Sequence, residues 1–367
     1  MSLYKFFSFL MKLSLSIFLL APFFNQYTTN RFGIDVNLSV ICFVLASFVV
    51  VFLGKGKEYK VSIYYCFFLL VSSIFLLISV NPQYVTKSTS IILSVIVSFV
   101  LLVSTIRNEI IVDIYKYIFS VSIVILALVC SDIELVIKAF TTSSRMLFDI
   151  SPISLTLISV ICLISSFFTK SKFKIFLALV FVLIVAIVFK SRGPLLALFL
   201  VSIFFLIKTK SYKTLFVSII LAGLAFSYVS LSRGELANKS SEGRLTEYHK
   251  ALDILSESPL DFGYVGRYGN KTGFSFPHNF ILEVWVDLGI YFLLLMLVFL
   301  VINLYRYYKV KHDDNLSRYY CFSIFLVIFI ALQFSMSSVE MLRVLLPLFT
   351  LSHFSIKENK NVAQSEL

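Results

Sequence analysis

Three short sequences in this chain could carry chemistry. Ser191-Arg192-Gly193-Pro194 sits between two apolar runs, Gly243-Arg244-Leu245 opens a polar stretch, and Pro277-His278-Asn279 introduces another apolar run. Arginine presents a planar fork of donors that matches phosphate oxygens, so Arg192 and Arg244 are candidate phosphate-binding groups. His278 precedes Asn279, a residue type suited to capping a helix. A helix N-terminus favours the uncharged imidazole, whose lone pair can take a proton near neutral pH. Each group also has a plainer reading: a basic turn for Arg192, a solvated surface charge for Arg244, an interfacial ring for His278. Arg192 stands out because the short loops on its side of the chain are otherwise poor in basic residues. Together the three point to a membrane enzyme that handles an anionic, lipid-linked substrate at one face of a bilayer.

The elements that must position these groups follow from composition. Of 367 residues, 59% are apolar and 14% charged, and the mean hydropathy is +0.94. Soluble domains carry about 25% charged residues. The apolar residues fall into blocks of about 15–20, the length that crosses a hydrocarbon layer of roughly 30 Å as helix. The fold class is therefore an all-α polytopic membrane protein, a single integral membrane domain over residues 1–367. About twelve spans are expected, near Phe6–Phe24, Val36–Leu53, Val61–Val80, Ile91–Ile106, Ile110–Val129, Ile153–Phe168, Ile175–Phe189, Leu195–Ile207, Leu215–Val229, Asn279–Val301, Cys321–Ser337 and Arg343–Ile356. The five cysteines are scattered and form no C-x-x-C pair, so neither a disulfide framework nor a metal site is expected.

The net charge of +12 does not indicate nucleic acid. The lysines and arginines cluster in alternate short loops, around Lys55, Lys57 and Lys60, around Lys170, Lys172 and Lys174, and around Lys208, Lys210 and Lys213. The short loops that alternate with these hold far less, Arg31 in one and Lys87 in the next. Basic-rich loops stay cytoplasmic, which puts both termini inside, including a polar tail at 357–367, and residues 230–277 outside as one large loop. The basic-then-apolar N-terminus has no small-residue cleavage site and reads as the first span.

Within the large loop, Leu245, Tyr248, Leu252 and Leu255 recur at helical spacing from Gly243 to Glu257, before Pro259. This predicts an amphipathic helix lying over the bundle, with Arg244 and Tyr248 one turn apart. The glycine-rich piece from Gly263 to Gly273 lacks the context of a phosphate loop and reads as a flexible connection or lid. Glu283, Trp285 and Asp287 follow His278 closely. Glu340 and Arg343, spaced i, i+3, can pair with each other, as can Asp113 and Lys116, while Arg233 lies near an outer span end.

Taken in order, Ser191-Arg192-Gly193-Pro194-Leu195-Leu196-Ala197-Leu198, then Gly243-Arg244-Leu245, then Pro277-His278-Asn279-Phe280-Ile281-Leu282-Glu283 with Leu288-Gly289-Ile290, resemble the O-antigen ligase and O-antigen polymerase superfamily over roughly residues 175–302. One departure concerns packing: three places after Gly289 the family pattern has a small residue or tyrosine. Here Phe292 stands there, with Tyr291 one place early. The resemblance implies a fold akin to the C-type glycosyltransferases and a metal-independent, inverting, cofactor-free enzyme of the bacterial inner membrane. Such an enzyme moves glycan from undecaprenyl diphosphate on the periplasmic face. Carried onto this chain, Arg192 and Arg244 would hold the diphosphate and His278 would deprotonate or orient the acceptor hydroxyl. Tyr248, Asn279, Glu283, Arg233 and Arg343 would contact substrate. The partners implied are the lipid-linked donor, a glycan or lipid A–core acceptor, membrane lipids and a chain-length regulator. An O-antigen or capsular repeat-unit polymerase is the leading expectation and an O-antigen ligase the alternative. A lipid-oligosaccharide flippase fits less well, because the charges gather at one mouth rather than along a central path.

Overall fold

The computed structural model describes residues 3–53, 59–60, 63–107, 113–133, 136–137, 151–169, 171–189, 194–200, 220, 223, 227, 234–274, 276–309, 316–333, 338–353 and 355–356. Helices α1 (Leu3–Phe32), α2 (Ser39–Leu53), α3 (Ile63–Ile78), α4 (Val85–Arg107), α5 (Ile114–Ser131), α6 (Pro152–Phe168) and α7 (Lys172–Phe189) coincide with the first seven apolar blocks. Most of the eighth and ninth blocks lies outside the described residues. There follow α8 (Gly234–Glu257), α9 (Arg267–Thr272), α10 (Phe280–Leu288), α11 (Ile290–Lys309), α12 (Leu316–Leu332) and α13 (Ser338–Leu351). Four helical stretches, Leu3–Phe32, Val36–Leu53, Val85–Ser104 and Ile114–Ser131, are long and apolar enough to cross a bilayer, and shorter apolar helices accompany them. The chain is a membrane protein.

Helix α6 lies at the centre of the bundle. It is apolar on every side and almost wholly buried, as a helix with no polar face must be. Its hydroxyls satisfy themselves locally: Thr156 donates to the Pro152 carbonyl, Ser165 to Ile161 and Ser166 to Leu163. Such small side chains let helices approach closely in a medium without water. One end of the bundle is marked by a two-residue antiparallel ladder, Tyr59–Lys60 (β1) with Ser355–Ile356 (β2), which joins the exit of α2 to the exit of α13. At α5 the chain starts later than its apolar block suggests. Asp113 caps it in a left-handed conformation and pairs with Lys116 at 2.9 Å.

The largest departure from the expected spans is at Asn279–Val301. This segment is two helices, broken at Gly289. Helix α11 has 20 residues, of which Ile290–Tyr305 form the apolar part. The break has a local cause. Gly289 has φ +85°, and a Cβ placed on it would lie 2.5 Å from the Phe262 backbone. Gly263, at φ +65°, faces it from the loop before α9 with equally little room. Two backbones cross here, and only glycine on each side permits the approach. Gly289→Ala should therefore destabilise the protein by at least the ~1–3 kcal/mol of a strained left-handed residue. A lowered midpoint in thermal unfolding of the detergent-purified chain checks this.

Candidate functional site

Helix α10 begins at Asn279, whose side chain accepts a hydrogen bond from the Leu282 amide at 3.1 Å, as its residue type predicts. Glu283 and Asp287 are spaced i, i+4, so they share one face of α10, and both are 0% exposed. Two buried like charges on one face require a cation. Lys87 supplies it, with Nζ 3.0 Å from Glu283 and 3.2 Å from Asp287. The sequence places Lys87 in a short loop. In the structure it lies in the first turn of α4 and is buried. A lysine there opposes the helix dipole, so the two carboxylates also stabilise the start of α4. Asp287 does more: its oxygens accept from the Gly266 and Tyr268 amides at 3.1 and 3.0 Å, which caps α9 from another element. Glu283, expected to contact substrate, is enclosed and paired with Lys87.

The glycine-rich stretch expected to be a flexible lid is an ordered layer. The Val265 amide donates to the Ser79 carbonyl at 2.9 Å, and Asn81 Nδ2 donates to the Val265 carbonyl at 3.2 Å. Tyr84 donates to Asn270 at 2.7 Å, and its ring fills the space above Gly266. Buried Arg267 pairs with Asp261 and donates to Ser258. Glycines that signal mobility in sequence here allow close packing.

Over α10 lies α8, which starts at Gly234, nine residues before the expected amphipathic segment. Ala251, Ile254 and Leu255 pack with Tyr268 and Val286, against Leu282 and Trp285. Leu245 and Leu252, expected on the packed face, point outward. Docking brings Tyr248 to the His278-Asn279 pair: its hydroxyl donates to the His278 carbonyl at 3.4 Å and engages the Asn279 side chain. The residue preceding Tyr248, Glu247, places a carboxylate 3.6 Å from His278 Nε2. Burial raises the Glu247 carboxyl above its ordinary range, and Lys250 and Arg244 oppose that shift. Burial also pushes the Tyr268 phenol up to about 12, with Glu247 adding to the effect. Its hydroxyl donates to the Glu247 carbonyl at 3.2 Å.

His278 has φ +54°, rare for a residue with a side chain, and Phe276 packs edge-on against its ring at 4.5 Å. Its side chain is 35% exposed, with Nδ1 buried and Nε2 turned to Glu247. Immediately beyond Asn279, Phe280 lines a small apolar crevice of about 30 Å³ with Phe68, Phe292, Phe325, Leu345 and Phe349. The imidazole and a residue lining the apolar crevice thus lie two positions apart in the chain.

Of the residues singled out in sequence, Arg244, Tyr248, His278 and Asn279 converge where α8 meets the start of α10. Arg343 lies on α13, half-buried near Glu340 and Asp35, and its Nε has no hydrogen-bond partner among the described residues. Arg192 and Arg233 lie outside the described residues. Glu247 and Lys87 were missed. Glu247 looked like one of many surface charges on α8, and Lys87 like a topology marker.

Residues 135–297 match the O-antigen ligase family. Over that segment, somewhat under half of its length, the chain is similar to the O-antigen ligase family. The match implies a ligase- or polymerase-type role in glycosyl transfer during O-antigen biosynthesis. No curated protein and no solved structure matches the chain. The O-antigen ligase segment contains Arg192, Arg233, Arg244, Glu247, Tyr248, His278 and both carboxylates that hold Lys87. Lys87 and Arg343 come from outside it, so the family segment is completed by its flanking helices.

Two outcomes follow. Lys87→Met leaves two buried carboxylates uncompensated and should cost about 3–5 kcal/mol in unfolding free energy, whereas Lys87→Arg should keep most of it. Thermal melts of the two variants in detergent compare them. For Glu247, a raised folded value means that ionisation opposes folding. The favourable contribution is complete below the ordinary carboxylate range and is lost as pH rises through the folded value. Glu247→Gln should therefore melt higher than the parent at neutral pH, with the gap closing in acid.

Proposed function

We propose that this protein is a membrane glycosyltransferase that joins O-antigen or capsular repeat units on the periplasmic face of the bacterial inner membrane. Donor and acceptor would both be carried on undecaprenyl diphosphate. The observation that carries the reading is the adjacency along the chain of His278, held by α8 and the cap of α10, to the apolar crevice that Phe280 lines. A lipid-linked sugar needs both: an apolar place for its tail and a polar one for its head.

In the proposed reaction an acceptor hydroxyl attacks the anomeric carbon of the donor sugar as the bond to the diphosphate oxygen breaks. The departing lipid diphosphate keeps the bonding electrons, and the hydroxyl proton passes to His278. Glu247 steadies the imidazolium that forms, as a carboxylate beside a catalytic histidine does. Charge grows on the leaving diphosphate, and fixed guanidinium groups in a site shielded from water stabilise it strongly. Arg244, on the helix that bears Glu247 and Tyr248, and Arg192 are assigned that role. Arg233 and Arg343 are assigned to the substrate's remaining charges, and Tyr248 and Asn279 to orienting the sugar. The attack inverts the anomeric centre and needs no metal. In this reading twelve spans leave both termini and the 357–367 tail in the cytoplasm, with 230–277 in the periplasm.

A second reading, transfer of finished glycan to lipid A–core, draws support from the name of the matched family, O-antigen ligase. A gene knockout separates the two. Loss of a polymerase leaves core capped by single units, whereas loss of a ligase leaves bare core and accumulated lipid-linked polymer. In either case His278→Ala, Arg192→Ala and Arg244→Ala should each reduce glycan transfer by about 10²-fold or more while inserting normally, the scale set by losing a general base or an anion-stabilising donor. Full activity in Arg192→Ala would remove its assigned role. Inhibition of the purified enzyme by a chelator would remove the metal-free mechanism.

A further inference from the structure

Leu260, Phe262 and Tyr264 belong to the polar stretch that the sequence places outside lipid, yet their side chains are 67%, 60% and 41% exposed. They are not isolated. The Phe262 ring stacks 6.2 Å from Phe75 of α3 at 18° and 4.9 Å from Tyr291 of α11 at 32°. On α3 the outward apolar residues are Phe67, Leu70, Ile74 and Leu77, and on α11 they are Tyr291, Leu294, Val298 and Val301. Both sets follow helical spacing, so each helix turns one apolar stripe away from the protein. These helices pack together, and Phe262 closes the gap where the two stripes meet.

The backbone beneath this patch is held in place. The Val265 bonds to Ser79 and Asn81 fix one side, the Gly263–Gly289 crossing fixes the other, and Trp285 Nε1 donates to the Pro259 carbonyl at 3.0 Å. The intervening Asp261 is 59% exposed but its charge is paired with buried Arg267 at 3.2 Å. A segment with its one charge compensated and its apolar side chains turned out suits the polar–apolar boundary of a bilayer.

We infer that residues 260–264 form a wedge seated in the bilayer at the boundary of headgroups and acyl chains, with lipid as the occupant of this face. The argument is continuity: the patch extends the outward apolar stripes of α3 and α11 in a membrane protein, and aromatic rings concentrate at the bilayer interface. The inference does not depend on the glycosyltransferase reading, since it concerns where the loop sits and not what it catalyses. Its effect is to hold the start of α11, and through Gly289 the end of α10, at a fixed level in the membrane.

The chain contains a single tryptophan, which makes a direct test possible. Trp285→Phe combined with Phe262→Trp leaves one fluorophore at the wedge; Leu260→Trp on the same background serves if the first variant does not reach the membrane intact. The full chain is reconstituted into vesicles containing phospholipid brominated either near the headgroup or near the chain end. Lipid brominated near the headgroup should remove half or more of the emission, chain-end bromine less, and aqueous iodide little. Strong iodide quenching with no effect of bromine would put the segment in water and overturn the inference. Protection from both quenchers would mean that protein, such as a second copy of the chain, covers the face, and would overturn it equally.

Discussion

A lysine held between two carboxylates in a nearly dry environment is the constraint on which the proposed site rests. Lys87 reaches Glu283 and Asp287 from a different helix, and Asp287 uses its remaining acceptor positions to cap α9. An ion in such surroundings is costly unless every partner is in place, so the arrangement tolerates little displacement. Three elements far apart in sequence, α4, α9 and α10, therefore share one rigid junction. His278 sits at the open end of α10 and inherits that rigidity. The apolar packing of α8 on α10 then adds Glu247 and Tyr248 without a second ionic clamp.

This division of labour follows from the physics of each layer. Inside the bundle, apolar contact does not distinguish one helix neighbour from another, because lipid offers nearly the same surroundings. Polar groups supply the distinction. Local hydroxyl-to-carbonyl bonds in α6 cost nothing in register, whereas the Lys87 junction admits only one relative placement of its helices. Above it, where water is available, α8 can rely on burial of Ala251, Ile254, Leu255, Tyr268 and Val286.

Much of the fold was legible in sequence because bilayer thickness dictates helix length, and α1 to α7 lie where the apolar blocks predict. The Asn279 cap was legible because capping is decided within four residues. Lys87 was not, since its partners are 196 and 200 positions away. Two carboxylates spaced i, i+4 in an apolar run do announce a missing cation, but they cannot say which of many lysines provides it. The break at Gly289 was hidden for a similar reason: hydropathy runs smoothly from Asn279 to Val301, and only the approach of Gly263 requires the interruption. On α8 the leucines misled. Ala251 and the stem of Glu247, weak in any hydropathy pattern, lie on the packed side, and Leu245 and Leu252 on the other. In the site, the His278 and Arg244 sequences stood out by residue type, whereas Glu247 acquires meaning only from its neighbour.

The interruption between α10 and α11 separates two mechanical duties. Helix α11 answers to the bilayer, and its tilt can follow changes in membrane thickness. Helix α10 answers to the Lys87 junction and to α8. Because the helical hydrogen-bond ladder is interrupted between them, the direction of α10 is set by its own contacts and not by that of α11.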